Sequence, residues 1–329
     1  MAAPLPDIGT FRDVALTAGE DTLPDLLAPW IDQFNTASAD ATTLTNNFFL
    51  APAVGLQQMI ANQAGFWQDF FNDPTSSTVA SISQEMQSNL DAVLSGAGLQ
   101  GADSATTSAV LDYTLSANHQ IMFGDIPGYL PADEAPIITP IINFLASPES
   151  GILMGALGPG ISPWVALLNS VDAGDSLNDT LANMVGAYFN GATLDLDSLL
   201  PAINAADVFP PGMTMTGLDI GFGGLLSTGS VEAGPYEVGG SIFNSVGLSF
   251  TGVPFLQTLD VPSEPIGPIG AWEALSQTIA TLIGWDGSSS PLAGVDLPII
   301  PADFLDSGAG AASAATDLSA LVQDFVSLF

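Results

Sequence analysis

The sequence predicts an α+β fold, predominantly α-helical, with a β-ribbon or small antiparallel sheet at about 211–255. Three observations carry this. Apolar residues recur at helical spacing through most of residues 21–205. At Pro210-Pro211 helix formers give way to Gly, Thr, Ser and Val. A period-two alternation then follows, with Tyr236, Val238, Ile242, Val246, Leu248 and Phe250 at even positions and small or polar residues between most of them.

Residues 10–18 alternate enough for a short strand. Asp21 to Asn47 reads as a helix on Leu23, Leu26, Leu27, Trp30, Ile31 and Phe34. Pro52 opens a second helix, which Asp73-Pro74 stops. Thr75-Ser76-Ser77 caps a third, ended by Gly96 and Gly98. A fourth begins near Ser104, a fifth at Pro131, and another at Asp175 or Ser176, running to Asn190-Gly191. Asp195-Leu196-Asp197-Ser198 looks like the cap of a short helix up to Ala206. Helices at 270–283 and from Ser313 to Phe329 close the chain. The expected division is a helical domain with a short N-terminal strand at 1–209, the β-ribbon at 210–262, and C-terminal helices at 263–329 packing on the helical domain.

Residues 150–171 hold no charge and are long enough for a transmembrane segment. Gly158-Pro159-Gly160 and Pro163 interrupt them, so the reading is two short buried helices joined by a turn, with a re-entrant or spanning hairpin as the alternative. The five Trp residues (Trp30, Trp67, Trp164, Trp272, Trp285) are assigned to core packing, with an interfacial belt as the alternative.

Charge narrows the function. The chain has 35 acidic side chains against one Arg (Arg12) and no Lys, a formal charge of −34. Phosphate binding needs clustered Lys or Arg, so nucleic acid is excluded as a partner, and anionic lipid headgroups are disfavoured. Yet 47% of residues are hydrophobic and mean hydropathy is +0.41, which argues for a packed core. Charged residues make up only 11%, against about 25% in a typical soluble domain, which implies unusual apolar contacts. There is no Cys, hence no disulfide and no thiolate metal site. Met1-Ala2-Ala3-Pro4 lacks the basic region and apolar run of a signal peptide, and reads as close to the mature N-terminus of an exported chain.

Catalytic and metal constellations are weak. Gly174-Asp175-Ser176-Leu177 spells the nucleophile block of GDSL-type hydrolases, but it lies mid-chain, and the only His is His119, upstream. A serine nucleophile needs a base in reach; the reading here is a helix cap. A lone His makes a poor metal site. Asp195/Asp197 and Asp133/Glu134 follow no EF-hand spacing and read as caps and turns. No catalytic residue, cofactor or metal ligand is assigned, and the expectation is a protein that is not an enzyme.

Residues 236–251 are long enough for a membrane strand, with Tyr236, Val238, Ile242, Val246, Leu248 and Phe250 as lipid-facing or interface candidates and Asp219 and Glu237 as lumen candidates; the alternative is a soluble sheet whose apolar face packs on the helices. Several copies would be needed to close a barrel. The segments Phe11 to Leu26, Asn47 to Gln63 and Gly284-Trp285-Asp286-Gly287 resemble mycobacterial and related actinobacterial outer-membrane porins of the Gordonia porin A type. The resemblance implies export, residence in a mycolic-acid outer membrane or cell wall, and a homo-oligomer. The expected function is an oligomeric passive channel for small hydrophilic solutes, its acidic lining preferring cations. The alternative is a soluble secreted envelope protein that binds a lipid or other envelope proteins.

Overall fold

The computed structural model describes residues 27–128, 130–206, 209–231, 233, 235–253, 257–293 and 295. The strand expected at 10–18 and the helix expected from Ser313 lie outside them. The described residues are predominantly helical with one small antiparallel sheet, as the patterning predicts. The helices are α1 (Ala28–Leu50), α2 (Val54–Asn72), α3 (Ser76–Gly98), α4 (Ser104–Thr114), α5 (Ala117–Asp125), α6 (Ala135–Leu145), α7 (Pro148–Ala173), α8 (Leu177–Asn190), α9 (Leu200–Ala205) and α10 (Pro268–Leu282). The strands are β1 (Ala192–Asp195), β2 (Thr214–Phe222), β3 (Val246–Val253) and β4 (Gln257–Val261), paired in chain order as an antiparallel meander.

Side-chain caps start several of the helices. Thr75 Oγ1 accepts from the Thr78 N–H, Asp103 Oδ1 from Thr106, and Ser176 Oγ from Asp179, each satisfying an orphan donor of the first turn. Gly174 ends α7 in the left-handed conformation at φ 73°, which costs glycine little. The core is a set of small clusters joined by helix contacts. Phe66, Phe70, Val79 and Ile82 hold α2 on α3. Met154, Ile266 and Ala271 hold α7 on α10. α10 also packs on α2 and α4, and α1 packs on α8.

Two expectations fail in instructive ways. Residues 150–171 are not two helices; they lie in one continuous helix of 26 residues, with Pro159 and Pro163 inside it. An interior Pro costs a helix about 3 kcal/mol, so packing must outweigh it. Gly151, Gly155 and Gly158 line one face of α7 and let it lie on the backbone of Gly240, Gly267 and Gly223. A methyl group at Gly155 would stand 2.9 Å from the Gly267 carbonyl. Ser162 Oγ, buried on the same face, donates to Ala187 O of α8 at 2.7 Å.

Residues 236–251 are not one strand either. Only Val246 onward is β; Phe243–Ser245 is a 3-10 turn and 237–242 is irregular. The backbone donors of this loop go elsewhere: Gly239 N to Thr228 O, Gly240 N to Tyr113 O at the end of α4, and Ile242 N to Ser150 Oγ of α7. With those groups taken, no neighbouring strand can pair there. The sheet is completed from the other side by β1, which the sequence reading left unassigned; Ala192 pairs with Phe222 and Asp195 with Asp219.

Candidate functional site

The residues proposed to face lipid do not share an exposed stripe. Tyr236 and Val238 are buried in the loop, with the Tyr236 ring 5.2 Å from that of Trp285. Phe250 is buried on β3, its ring 5.4 Å from Phe209. Val246 and Leu248 are half-buried, and Ile242 packs against the Met154–Ile266–Ala271 cluster. Of the lumen candidates, Glu237 is exposed in the loop, while Asp219 is half-buried on β2, over Gly247, with its Oδ1 unpaired.

The exposed apolar surface lies on the helices instead. On α7, Leu153, Leu157, Trp164, Leu168 and Val171 are exposed on the side opposite the glycine face. On the adjacent α8, Leu177, Leu181, Val185 and Tyr188 are exposed at helical spacing. The values are large: Trp164 is 63% exposed, Val171 70% and Leu177 77%. Burial therefore splits α7 into a face of small residues against protein and a face of large apolar residues against solvent. α7 is also the helix among the described residues that is long and apolar enough to cross a membrane by length and composition. The assignment of Trp to the core holds for Trp285 alone, whose Nε1 donates to Ser289 O at 2.8 Å. Trp30, Trp67, Trp164 and Trp272 are all at least 36% exposed.

A cleft of about 310 Å³ opens between α1 and α10, walled by Leu44, Phe48, Phe49, Leu226 and Ile269. Among the described residues its one charged lining group is Glu273, the only ionisable residue of α10. Asn47 Nδ2 donates to Glu273 Oε2 at 2.7 Å. Burial pushes the carboxyl from an ordinary 4.5 up to about 7, with the Asn47 bond pulling the other way. Asn47 is itself buried, and its Oδ1 has no partner. One turn along α10, buried Gln277 likewise leaves its Oε1 unpaired. Sequence reasoning missed this site because its partners stand 226 residues apart. The available signal was a lone Glu in an otherwise uncharged helix.

A raised carboxyl pKa makes the folded state hold a proton that the unfolded state releases. Stability from this group is therefore complete below about pH 4.5 and lost as pH rises through about 7. Glu273→Gln keeps an acceptor for Asn47 and removes the charge. It is expected to leave stability unchanged at pH 5 and raise it at pH 8 by about 1–2 kcal/mol, after allowance for solvent reaching this half-buried group. Urea denaturation of both proteins at the two pH values checks this.

The serine and histidine weighed as a hydrolytic pair have separate engagements. Ser176 Oγ donates to Asp179 Oδ2 at 2.6 Å and caps α8. His119 is fully buried; its Nε2 donates to Val246 O at 2.9 Å, so its Nδ1 accepts from Ser116 Oγ at 2.8 Å. Burial lowers its pKa, which keeps it neutral. Neither nitrogen is left for Ser176. Asp195 and Asp197 use an oxygen each on the backbone N–H of Asp197 and Leu218. The described residues contain no cluster of three or more His, Asp or Glu placed to hold a metal.

Comparison of the chain with known protein families, curated proteins and solved structures finds no match.

Proposed function

We propose that the protein is a lipid-contacting component of a bacterial cell envelope that lays the exposed stripes of α7 and α8 against neutral lipid. The observation that carries this is the apolar outer side of α7, a helix uncharged from residue 150 to 171 on which Leu153, Leu157, Trp164, Leu168 and Val171 are exposed. Contiguous exposed apolar surface of this kind marks a membrane or protein contact. Charge favours lipid over a second copy of the chain. Two copies at −34 each repel, whereas uncharged lipid does not. The exposed Trp rings suit the boundary between apolar and wet phases. The envelope setting rests on the resemblance of the chain's segments to outer-membrane proteins.

This reading moves the lipid contact from the ribbon to the helices. β1 and β4 have four and five residues, short of the about 9–11 a membrane strand needs. α8 has 14 residues, about 21 Å of helix against a hydrocarbon core of about 30 Å. The glycine face of α7 is occupied by protein. The fitting mode is therefore contact at the lipid surface, with affinity set by buried apolar area. A solute channel would have to be lined by helices of several copies.

Vesicle flotation tests the proposal. The protein is expected to rise with phosphatidylcholine vesicles and much less with phosphatidylglycerol vesicles. The double substitution Trp164→Glu, Leu168→Glu should abolish flotation while leaving the circular dichroism spectrum unchanged, because both side chains are exposed. Protein that stays at the bottom with neutral vesicles would sink the proposal. Cation-selective conductance steps in a planar bilayer would return the channel to first place.

A further inference from the structure

The side chains that line the cleft between α1 and α10 are chemically one-sided. Its walls are apolar: Leu44, Leu226 and Ile269, with the rings of Phe48 and Phe49. Those two rings stand nearly perpendicular, at 79° with centroids 5.4 Å apart, and both are exposed. The polar lining side chains are Thr45 and Glu273. Thr45 Oγ1 donates its proton to Ala41 O within α1, so neither has a donor to offer a ligand. Asn47 holds Glu273 Oε2 and leaves Oε1 for a ligand. The described residues contain neither Lys nor Arg, and His119 is buried and kept neutral. No side chain among them can therefore balance the Glu273 charge. A charge withdrawn from water is stable when paired, and a cationic ligand in the cleft would pair this one.

We infer that this cleft binds a small quaternary ammonium cation of the choline type, its methylated head set against Glu273, Phe48 and Phe49. Such a head is drawn to the carboxylate by charge and to aromatic rings by their quadrupole. It carries no N–H, so nothing on it is left unpaired beside Leu44, Leu226 and Ile269. A primary ammonium brings three donors, and the side chains here offer it only Glu273 Oε1 and the Thr45 oxygen. An anion meets a like charge and no donor side chain. A phosphocholine lipid headgroup would bring its phosphate towards a protein of charge −34, which favours the soluble cation. The volume of about 310 Å³ lies at the small end of the range for ligand sites and suits a compact molecule. The site stands on α1 and α10, not on the exposed stripes of α7 and α8, so it and the lipid-contact reading can fail separately.

Isothermal titration calorimetry of the full chain with choline chloride tests it, at pH 7 and about 0.15 M NaCl so that loose attraction to the acidic surface is screened. The expected result is one saturable site, with ethanolamine and phosphocholine each about tenfold weaker or more. Glu273→Gln keeps the acceptor for Asn47 and should weaken choline about tenfold or more. Phe49→Leu, at an exposed position, should weaken it about threefold or more and keeps the test open if Glu273→Gln does not fold. Choline is charged at every pH, whereas burial holds the Glu273 carboxyl at about 7. Binding at pH 7 should therefore expel up to about half a proton, read from the heats in phosphate and in Tris buffer, and Glu273→Gln should expel none. Both variants should still float with phosphatidylcholine vesicles, and the α7 double variant should still bind choline. Absence of saturable choline binding, ethanolamine or phosphocholine binding as tightly as choline, or choline affinity unchanged in Glu273→Gln or Phe49→Leu would each overturn the inference.

Discussion

Asn244→Ala is expected to destabilise the protein by about 3–5 kcal/mol, seen as a lower urea midpoint with unchanged slope. Asn244 is fully buried beside the irregular loop. Its Nδ2 donates to Gly229 O at 2.8 Å and to Glu264 O at 3.1 Å, and its Oδ1 accepts from the Ser116 N–H at 2.8 Å. Its own backbone N–H is held by Ser241 Oγ, and its carbonyl accepts from Glu264 N. One side chain thus joins four segments distant in sequence. Truncation strands two carbonyls and one N–H without water, each at about 1–3 kcal/mol. Asn244→Asp should be no better: it keeps the acceptor for Ser116 but turns a carboxylate towards two carbonyls. Such networks matter more here than in most proteins, because the described residues contain neither Lys nor Arg to form ion pairs.

The second large effect is a change of sign within one helix. Gly158→Ala places a methyl on the carbonyl oxygen of Gly223. All the nearest atoms are backbone, so nothing can rotate away, and Gly223 is itself pressed against the Ile266 carbonyl. Overpacking costs about 1–3 kcal/mol where side chains can yield. With rigid backbone the upper end applies, partly offset by about 1 kcal/mol of helix propensity. The expected net loss is about 2 kcal/mol. Gly160→Ala, two residues on, meets open space and should stabilise by about 0.5–1 kcal/mol. Urea denaturation of both variants checks the sign change; equal effects would refute the close packing of α7 on the Gly223 loop.

The elements legible in sequence were those governed by local chemistry. The caps at Thr75 and Ser176 lie where a hydroxyl precedes a helical run. β2 and β3 fall within the small antiparallel sheet expected at about 211–255. The misreadings arose where distant contacts override local rules. Pro159 and Pro163 are breakers in isolation, yet the glycine face of α7 finds backbone to rest on. The alternation at 236–242 is real in sequence, but those backbone groups bond to Thr228, Tyr113 and Ser150 rather than to a strand. Trp, a usual core residue, is turned outwards at Trp30, Trp67, Trp164 and Trp272. The Asn47–Glu273 pair had no local signature, because its members meet only when α1 packs on α10.

On the proposed function, the helices and not the strands meet lipid. The chain has no Cys, so single labelled positions are clean. An environment-sensitive fluorophore is placed at Leu168→Cys on the outer side of α7 and, separately, at Thr258→Cys on β4, both exposed positions. On addition of phosphatidylcholine vesicles the label at 168 should shift to the blue and brighten, while the label at 258 stays at its aqueous emission. A response at 258 with none at 168 would contradict the account and put the lipid contact back on the sheet.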